Sequence, residues 1–108
     1  WSSGRIVLLG DATGPFFPFL AQGGVMALED AATVARLLKG AGNDIPAAFK
    51  AFEQVRRPRR ERMIATAERN GRIYHLDGPA AMARNIALRA LPGAAVMAGY
   101  DWLYGHRA

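Results

Sequence analysis

The hydrophobic pattern opens with a short continuous run, Ile6-Val7-Leu8-Leu9, and then gives way to helical spacing. A β-branched, Leu-rich run of that length predicts a buried strand over Arg5 to Leu9. From Gly10 to Gln22, Gly and Pro recur closely and predict a loop. Gly23 to Lys39 reads as a first helix, with Glu29 and Asp30 in the early part that the helix dipole favours. Gly40-Ala41-Gly42-Asn43-Asp44 ends it. Asp44 then stands near the cap of a second helix, with Pro46 in its first turn. That helix is expected from Ala47 to Arg69, kinked near Val55 by Pro58 and stopped or bent by Asn70-Gly71. Pro79 starts a third helix to Leu91, Pro92-Gly93 breaks it, and a last apolar piece covers Ala94 to Leu103. No internal repeat and no second convincing strand follow. The expected fold is mostly α-helical with one short β-strand. A single strand has no sheet to join. The pattern therefore predicts the end piece of a larger protein, with sheet partners elsewhere in the polypeptide or in another copy, a homodimer.

Composition narrows the class. The chain has 108 residues, so one domain is expected, and 51% are apolar, enough for a core. No segment has the ~20 uninterrupted apolar residues of a membrane span. There is no cysteine, which excludes disulfides and thiolate metal sites and fits a cytoplasmic protein.

The net charge is +5, and much of the arginine surplus lies between Arg56 and Arg62. Such a run supports an alternative reading, a small basic helical binding module for nucleic acid or an acidic protein partner. Aromatic residues do not interleave with the run, which argues against nucleic acid. A third reading is a helical piece that docks onto a separate chain. On a regular helix Phe49, Phe52, Met63 and Ala67 share a face, and Arg56 and Arg59 fall on it, while Arg57 and Glu61 point away. Either Pro58 shifts the register and the arginines form a solvated face, or they pair with carboxylates of a domain outside this chain.

The chemistry concentrates between Gly10 and Ala31. Asp11 sits where the strand ends, the place where ligands collect in open α/β sheets. Its carboxylate is an acceptor suited to ribose hydroxyls. Gly23 and Gly24 admit close backbone approach, and the helix they open presents amides and a positive dipole end. Strand, loop and glycine-led helix together suit an anionic, hydroxyl-rich cofactor. Plainer readings stand beside this one. Asp11 also fits a strand-end turn former, and Gly23-Gly24 a loop before a helix. Phe16, Phe17 and Phe19 fit core or interdomain packing as well as an aromatic pocket. Asp30 fits a first-turn helix acid. Met63, Met82 and Met97 read as packing, and His75 and His106 do not argue for metal.

The joint spacing of these motifs resembles one group. Gly10-Asp11-Ala12, Pro18-Phe19-Leu20-Ala21-Gln22-Gly23, Glu29-Asp30-Ala31, Arg56-Arg57-Pro58-Arg59, Tyr74-His75-Leu76-Asp77-Gly78-Pro79 and Tyr100-Asp101-Trp102-Leu103-Tyr104-Gly105 are similar to FAD-dependent aromatic hydroxylases. These are single-component flavoprotein monooxygenases of the salicylate hydroxylase and 3-hydroxybenzoate 6-hydroxylase type. The resemblance implies an α/β, Rossmann-like parent. Residues 1–40 would be the strand-loop-helix end of its FAD-binding domain and 41–108 a C-terminal helical region. The dinucleotide fingerprint G-x-G-x-x-G is absent, so the piece alone is expected to be inactive. Also implied are FAD, NADH or NADPH as reductant, and a small aromatic acid as substrate. The partners would be the remaining FAD-binding and substrate domains, with no membrane.

Carried over residue by residue, Gly10 and Asp11 would meet the ribityl or ribose hydroxyls beside the pyrophosphate. Pro18 would lie by the flavin ring, its carbonyl toward substrate. The amides of Gly23, Gly24 and Val25 would face the pyrimidine end, where reduced flavin carries negative charge that a helix N-terminus stabilises. No side chain here is implied as an acid, base or nucleophile. The group usually has His where Gly14 stands, often Gly at Ala21, and Asn at Val25.

Overall fold

The computed structural model describes residues 1–14, 18 and 21–106. Phe16, Phe17 and Phe19 lie outside the described residues, so the expectations placed on them have no structural counterpart here.

The chain opens with a hairpin, not a single strand. β1 (Ser2–Ser3) and β2 (Ile6–Val7) pair antiparallel, Ser2 opposite Val7 and Ser3 opposite Ile6. Gly4 takes φ +55° to turn the corner. Two serines carry no β-branched or apolar signal, which is why the first arm was invisible in the hydrophobic pattern. The buried-strand expectation also changes. Ile6 is 69% exposed and Leu8 44%, while Val7 and Leu9 pack inward with Trp1. The run is apolar throughout, but within this chain only one face is covered.

A 3₁₀ turn, Gly10–Thr13, follows, and then α1 (Gly23–Gly40). The short link to α2 (Ile45–Tyr74) is closed by Asp44, whose Oδ1 accepts the Ala47 amide at 3.1 Å, an N-cap bond. α2 is longer than expected. It runs unbroken through Pro58 and past Asn70-Gly71 to Tyr74. Pro58 removes the amide that would reach the Gln54 carbonyl, and Gln54 is exposed, so water can take that acceptor. Val34, Phe49 and Phe52 form the core between the helices, with Leu37, Leu38, Ile45 and the hairpin residues against it. The Trp1 and Phe52 rings lie tilted, 6.4 Å between centroids. Ser2 also donates to Glu53 of α2 at 3.1 Å.

Packing divides the chain into two compact units, Trp1–Gly71 and Arg72–Ala108. The second holds the last residues of α2, then α3 (Gly78–Ala90), α4 (Gly93–Ala98) and α5 (Asp101–Tyr104). Asp77 precedes α3 in extended conformation with Pro79 in its first turn, as the sequence predicts. The Arg84 guanidinium donates to the carbonyls of Ile73 and Tyr74 at 2.8 and 3.3 Å and so caps the end of α2. No helix is long and apolar enough to cross a membrane.

Candidate functional site

The 3₁₀ turn that carries Asp11 is held against α1. Gly10 adopts φ +54°, and a Cβ there would stand 3.1 Å from the Ala27 Cβ, so only glycine lets the turn approach this closely. The Gly10 amide donates to Asp30 Oδ2 at 2.9 Å. Asp30 is 1% exposed, and its other oxygen accepts Arg56 Nε at 2.6 Å.

Arg56 is equally buried, at 1%. Its Nη1 lies 2.8 Å from Glu29 Oε2, and Nη2 reaches Met26 Sδ at 3.5 Å. Arg59 grips the same Glu29 with two parallel bonds, each 2.7 Å, the fork geometry that favours arginine over lysine. Arg60, 2% exposed, donates to the Gly14 carbonyl. One end of the turn is thus tied to α1 through Asp30 and the other to α2 through Arg60.

The electrostatics follow from this geometry. Burial alone would raise the Glu29 pKa, but hydrogen bonds from Arg59 and Arg56 and their charges outweigh it and hold Glu29 below its usual range. Burial lowers the Arg60 pKa, opposed by attraction to Asp30 and Asp11. Two guanidiniums, Arg56 and Arg59, pair with two carboxylates, Glu29 and Asp30, and Arg60 lies within attractive range of Asp30 and Asp11. Asp11 is therefore part of the charge balance as well as the exposed acid of the turn.

Two expectations are corrected here. Arg56 and Arg59 form neither a solvated basic face nor pairs with carboxylates outside the chain; their partners are Asp30 and Glu29 of α1. Pro58 does not break the helix, so the apolar register persists and carries Arg56 and Arg60 inward with Phe49, Phe52, Met63 and Ala67. Asp30 is not a first-turn helix acid, because the first turn of α1 holds none. It is the centre of the network, and sequence reasoning undervalued it. Arg60 was missed outright. A signal existed: the inward stripes of both helices are interrupted by charges, acidic in α1 and basic in α2.

The remaining candidates gather at the start of α1. Asp11 is exposed, and its Oδ1 lies 3.8 Å from where a Cβ on Gly23 would stand. The hydrogen-bond ladder of α1 begins with Met26 donating to the Gln22 carbonyl at 2.9 Å, so the amides of Gly23, Gly24 and Val25 precede it. Gly24 and Val25 are exposed, and nothing among the described residues lies within 4 Å of a Cβ position on Gly24. An acceptor carboxylate, helix-start amides and, among the described residues, open space over Gly24 suit a ligand with hydroxyls and negative charge, the donor and acceptor set that a flavin nucleotide requires. Pro18 is exposed, and its carbonyl accepts the Ala21 amide at 2.9 Å. Ala21 itself is left-handed at φ +51°, a conformation that suits glycine. Gly14 has φ +126°, a backbone that any side chain strains. Among the described residues no cluster of His, Asp or Glu could hold a metal.

No family model matches the chain. Individual relatives do. It is 38% identical over 105 residues to a 3-hydroxybenzoate 6-hydroxylase of Klebsiella oxytoca, an alignment covering 97% of this chain and 26% of the relative. It is 39% identical over 109 residues to a 3-amino-4-hydroxybenzoate 2-monooxygenase of Streptomyces platensis, covering 100% of this chain and 27% of that protein. A 6-hydroxynicotinate 3-monooxygenase of Bordetella bronchiseptica is 46% identical over 80 residues, 73% of this chain and 21% of the relative. The chain is homologous to one segment of the aromatic-ring hydroxylases, and it spans about a quarter of the length of the curated relatives it matches.

Proposed function

We propose that this chain is the flavin-gripping C-terminal part of a cytoplasmic, FAD- and NAD(P)H-dependent monooxygenase that hydroxylates a small aromatic acid. The observation that carries the reading is the meeting of the exposed Asp11 carboxylate with the start of α1, where Asp11 Oδ1 lies 3.8 Å from the place a Cβ on Gly23 would take. The names of the relatives support the substrate class. Each denotes a ring bearing a hydroxyl and a carboxylate. Bound FAD would supply the redox chemistry: hydride acceptance and oxygen activation. The chain's own residues bind and orient. Asp11 accepts from the sugar hydroxyls, and the amides of Gly23, Gly24 and Val25 place the positive end of an 18-residue helix where negative charge develops. The competing basic-module reading loses most of its surface, because Arg56, Arg59 and Arg60 are turned inward onto Glu29, Asp30 and the Gly14 carbonyl.

The test uses the full-length polypeptide. It should purify yellow with flavin absorbance, and Asp11→Ala should weaken FAD retention. A hydrogen bond to a charged acceptor is worth about 1.5–3 kcal/mol, or a loss of about tenfold or more in affinity. Unchanged flavin content in Asp11→Ala would remove the assignment.

A further inference from the structure

We infer that Asp30, oriented by Arg56, is a positioning residue for the Asp11-bearing turn and sets how tightly that turn grips its ligand. The inference rests on the flavin-binding reading of Asp11 and adds to it a buried group that touches no ligand. A pair that only glued α1 to α2 would need one carboxylate oxygen facing Arg56. Asp30 uses both. Oδ1 takes Arg56 Nε at 2.6 Å, and Oδ2 takes the backbone amide of Gly10, twenty residues earlier, at 2.9 Å.

Among the described residues the turn has little else to hold it. Its own bonds are Ala12 to the Leu9 carbonyl at 3.2 Å, Gly14 to the Asp11 carbonyl at 3.1 Å and the Thr13 hydroxyl to the Gly10 carbonyl at 2.8 Å. These fix its shape but not its place on the helix. Its place comes from Asp30 at Gly10, from Arg60 at the Gly14 carbonyl, and from the Gly10–Ala27 approach that a side chain would block. Asp11 follows Gly10 directly, so the direction of its carboxylate depends on where Asp30 pins that amide. Arg56 in turn is held by Glu29 at 2.8 Å, and Glu29 by Arg59, so the orientation of Asp30 is fixed by a continuous chain of charge-assisted bonds. Preorganised acceptors bind better because no ordering cost remains at the moment of binding.

The experiment is a double-mutant cycle on FAD affinity, read by fluorescence titration of flavin-stripped full-length polypeptide, with the thermal midpoint of the stripped protein measured alongside. Asp30→Asn keeps the size and removes the charge. It should weaken FAD by about tenfold or more. In the Asp11→Ala background the same change should cost less than about twofold, because the group it positions is gone. If Asp30→Asn lowers the thermal midpoint but leaves FAD affinity intact, or if the two losses simply multiply, Asp30 is a packing residue and the inference fails. If Asp11→Ala itself leaves affinity unchanged, the flavin-binding reading fails first and takes the inference with it. Should Asp30→Asn not fold, Arg56→Lys replaces it: both charges remain, and only the Nε donor that orients Asp30 Oδ1 at 2.6 Å is lost. The same non-additivity with Asp11→Ala is expected, and its absence overturns the proposal.

Discussion

Replacing Arg56 by Met separates a buried ion pair from its look-alike one residue away. The Arg56 and Asp30 side chains are each 2% exposed, and Nε stands 2.6 Å from Oδ1. Met fills most of the volume of the aliphatic stem, so the loss is chiefly electrostatic. It leaves Asp30 as a buried carboxylate with the Gly10 amide still donating, and Glu29 with Arg59. Removing one partner of a buried pair costs about 3–5 kcal/mol, because the remaining charge stays out of water. The low end applies here, since Arg60 remains within attractive range of Asp30 and Arg59 still holds Glu29. The expectation is a loss of about 3 kcal/mol, a large part of the total stability of a typical domain.

The assay is urea unfolding followed by far-ultraviolet circular dichroism, with midpoint and slope fitted together. Arg57→Met is the control. Arg57 pairs with Glu53 on the same helix and lies 5.1 Å over the Trp1 ring, but it is exposed, and screened surface pairs contribute little. Its midpoint should barely move. A loss below about 1 kcal/mol in Arg56→Met, with an unchanged slope, would refute the argument that Arg56 is the buried counter-charge on which Asp30 depends.

Acid should weaken the fold through Glu29. Its folded pKa lies below 4.5, so the unfolded chain takes the proton first as pH falls; stability is full above about 4.5 and declines as pH drops through the folded value. Thermal midpoints across that range should show the decline, and Glu29→Gln should flatten it while lowering the neutral-pH midpoint. Ala21→Gly should stabilise by about 0.5–1 kcal/mol, the relief of a left-handed alanine less the backbone entropy of glycine. A lower urea midpoint in Ala21→Gly would show that the Ala21 side chain, not its backbone, matters there.

The helices were largely legible from residue order. Asp44 with Pro46, Asp77 with Pro79, and the glycines around residue 40 mark ends by local chemistry that acts whatever the rest of the chain does. α1 starts at Gly23 as the pattern implies, and Arg56 falls on the inward face by helical geometry alone. The end of α2 was misjudged at Asn70-Gly71, where both residues are buried and the helix continues to Tyr74; packing outweighs the weak intrinsic preference of Asn and Gly. The serine arm of the hairpin had no signal, because its pairing with Ile6–Val7 is a backbone event that two polar side chains do not announce.

The sequence by itself determined the helices, the turn-forming glycines and the Gly10–Ala31 motif, since each depends on neighbours within a few positions. Only the tertiary structure decided what the charges do. Helical periodicity tells which residues share a face, but not which face of another helix lies opposite. Glu29 and Asp30 look like dipole acids, and Arg56 to Arg60 like a basic surface, until α1 and α2 meet and water is excluded between them. Burial then makes each charge costly alone and favourable together. Through Asp30 and Arg60 it also fixes the turn that presents Asp11.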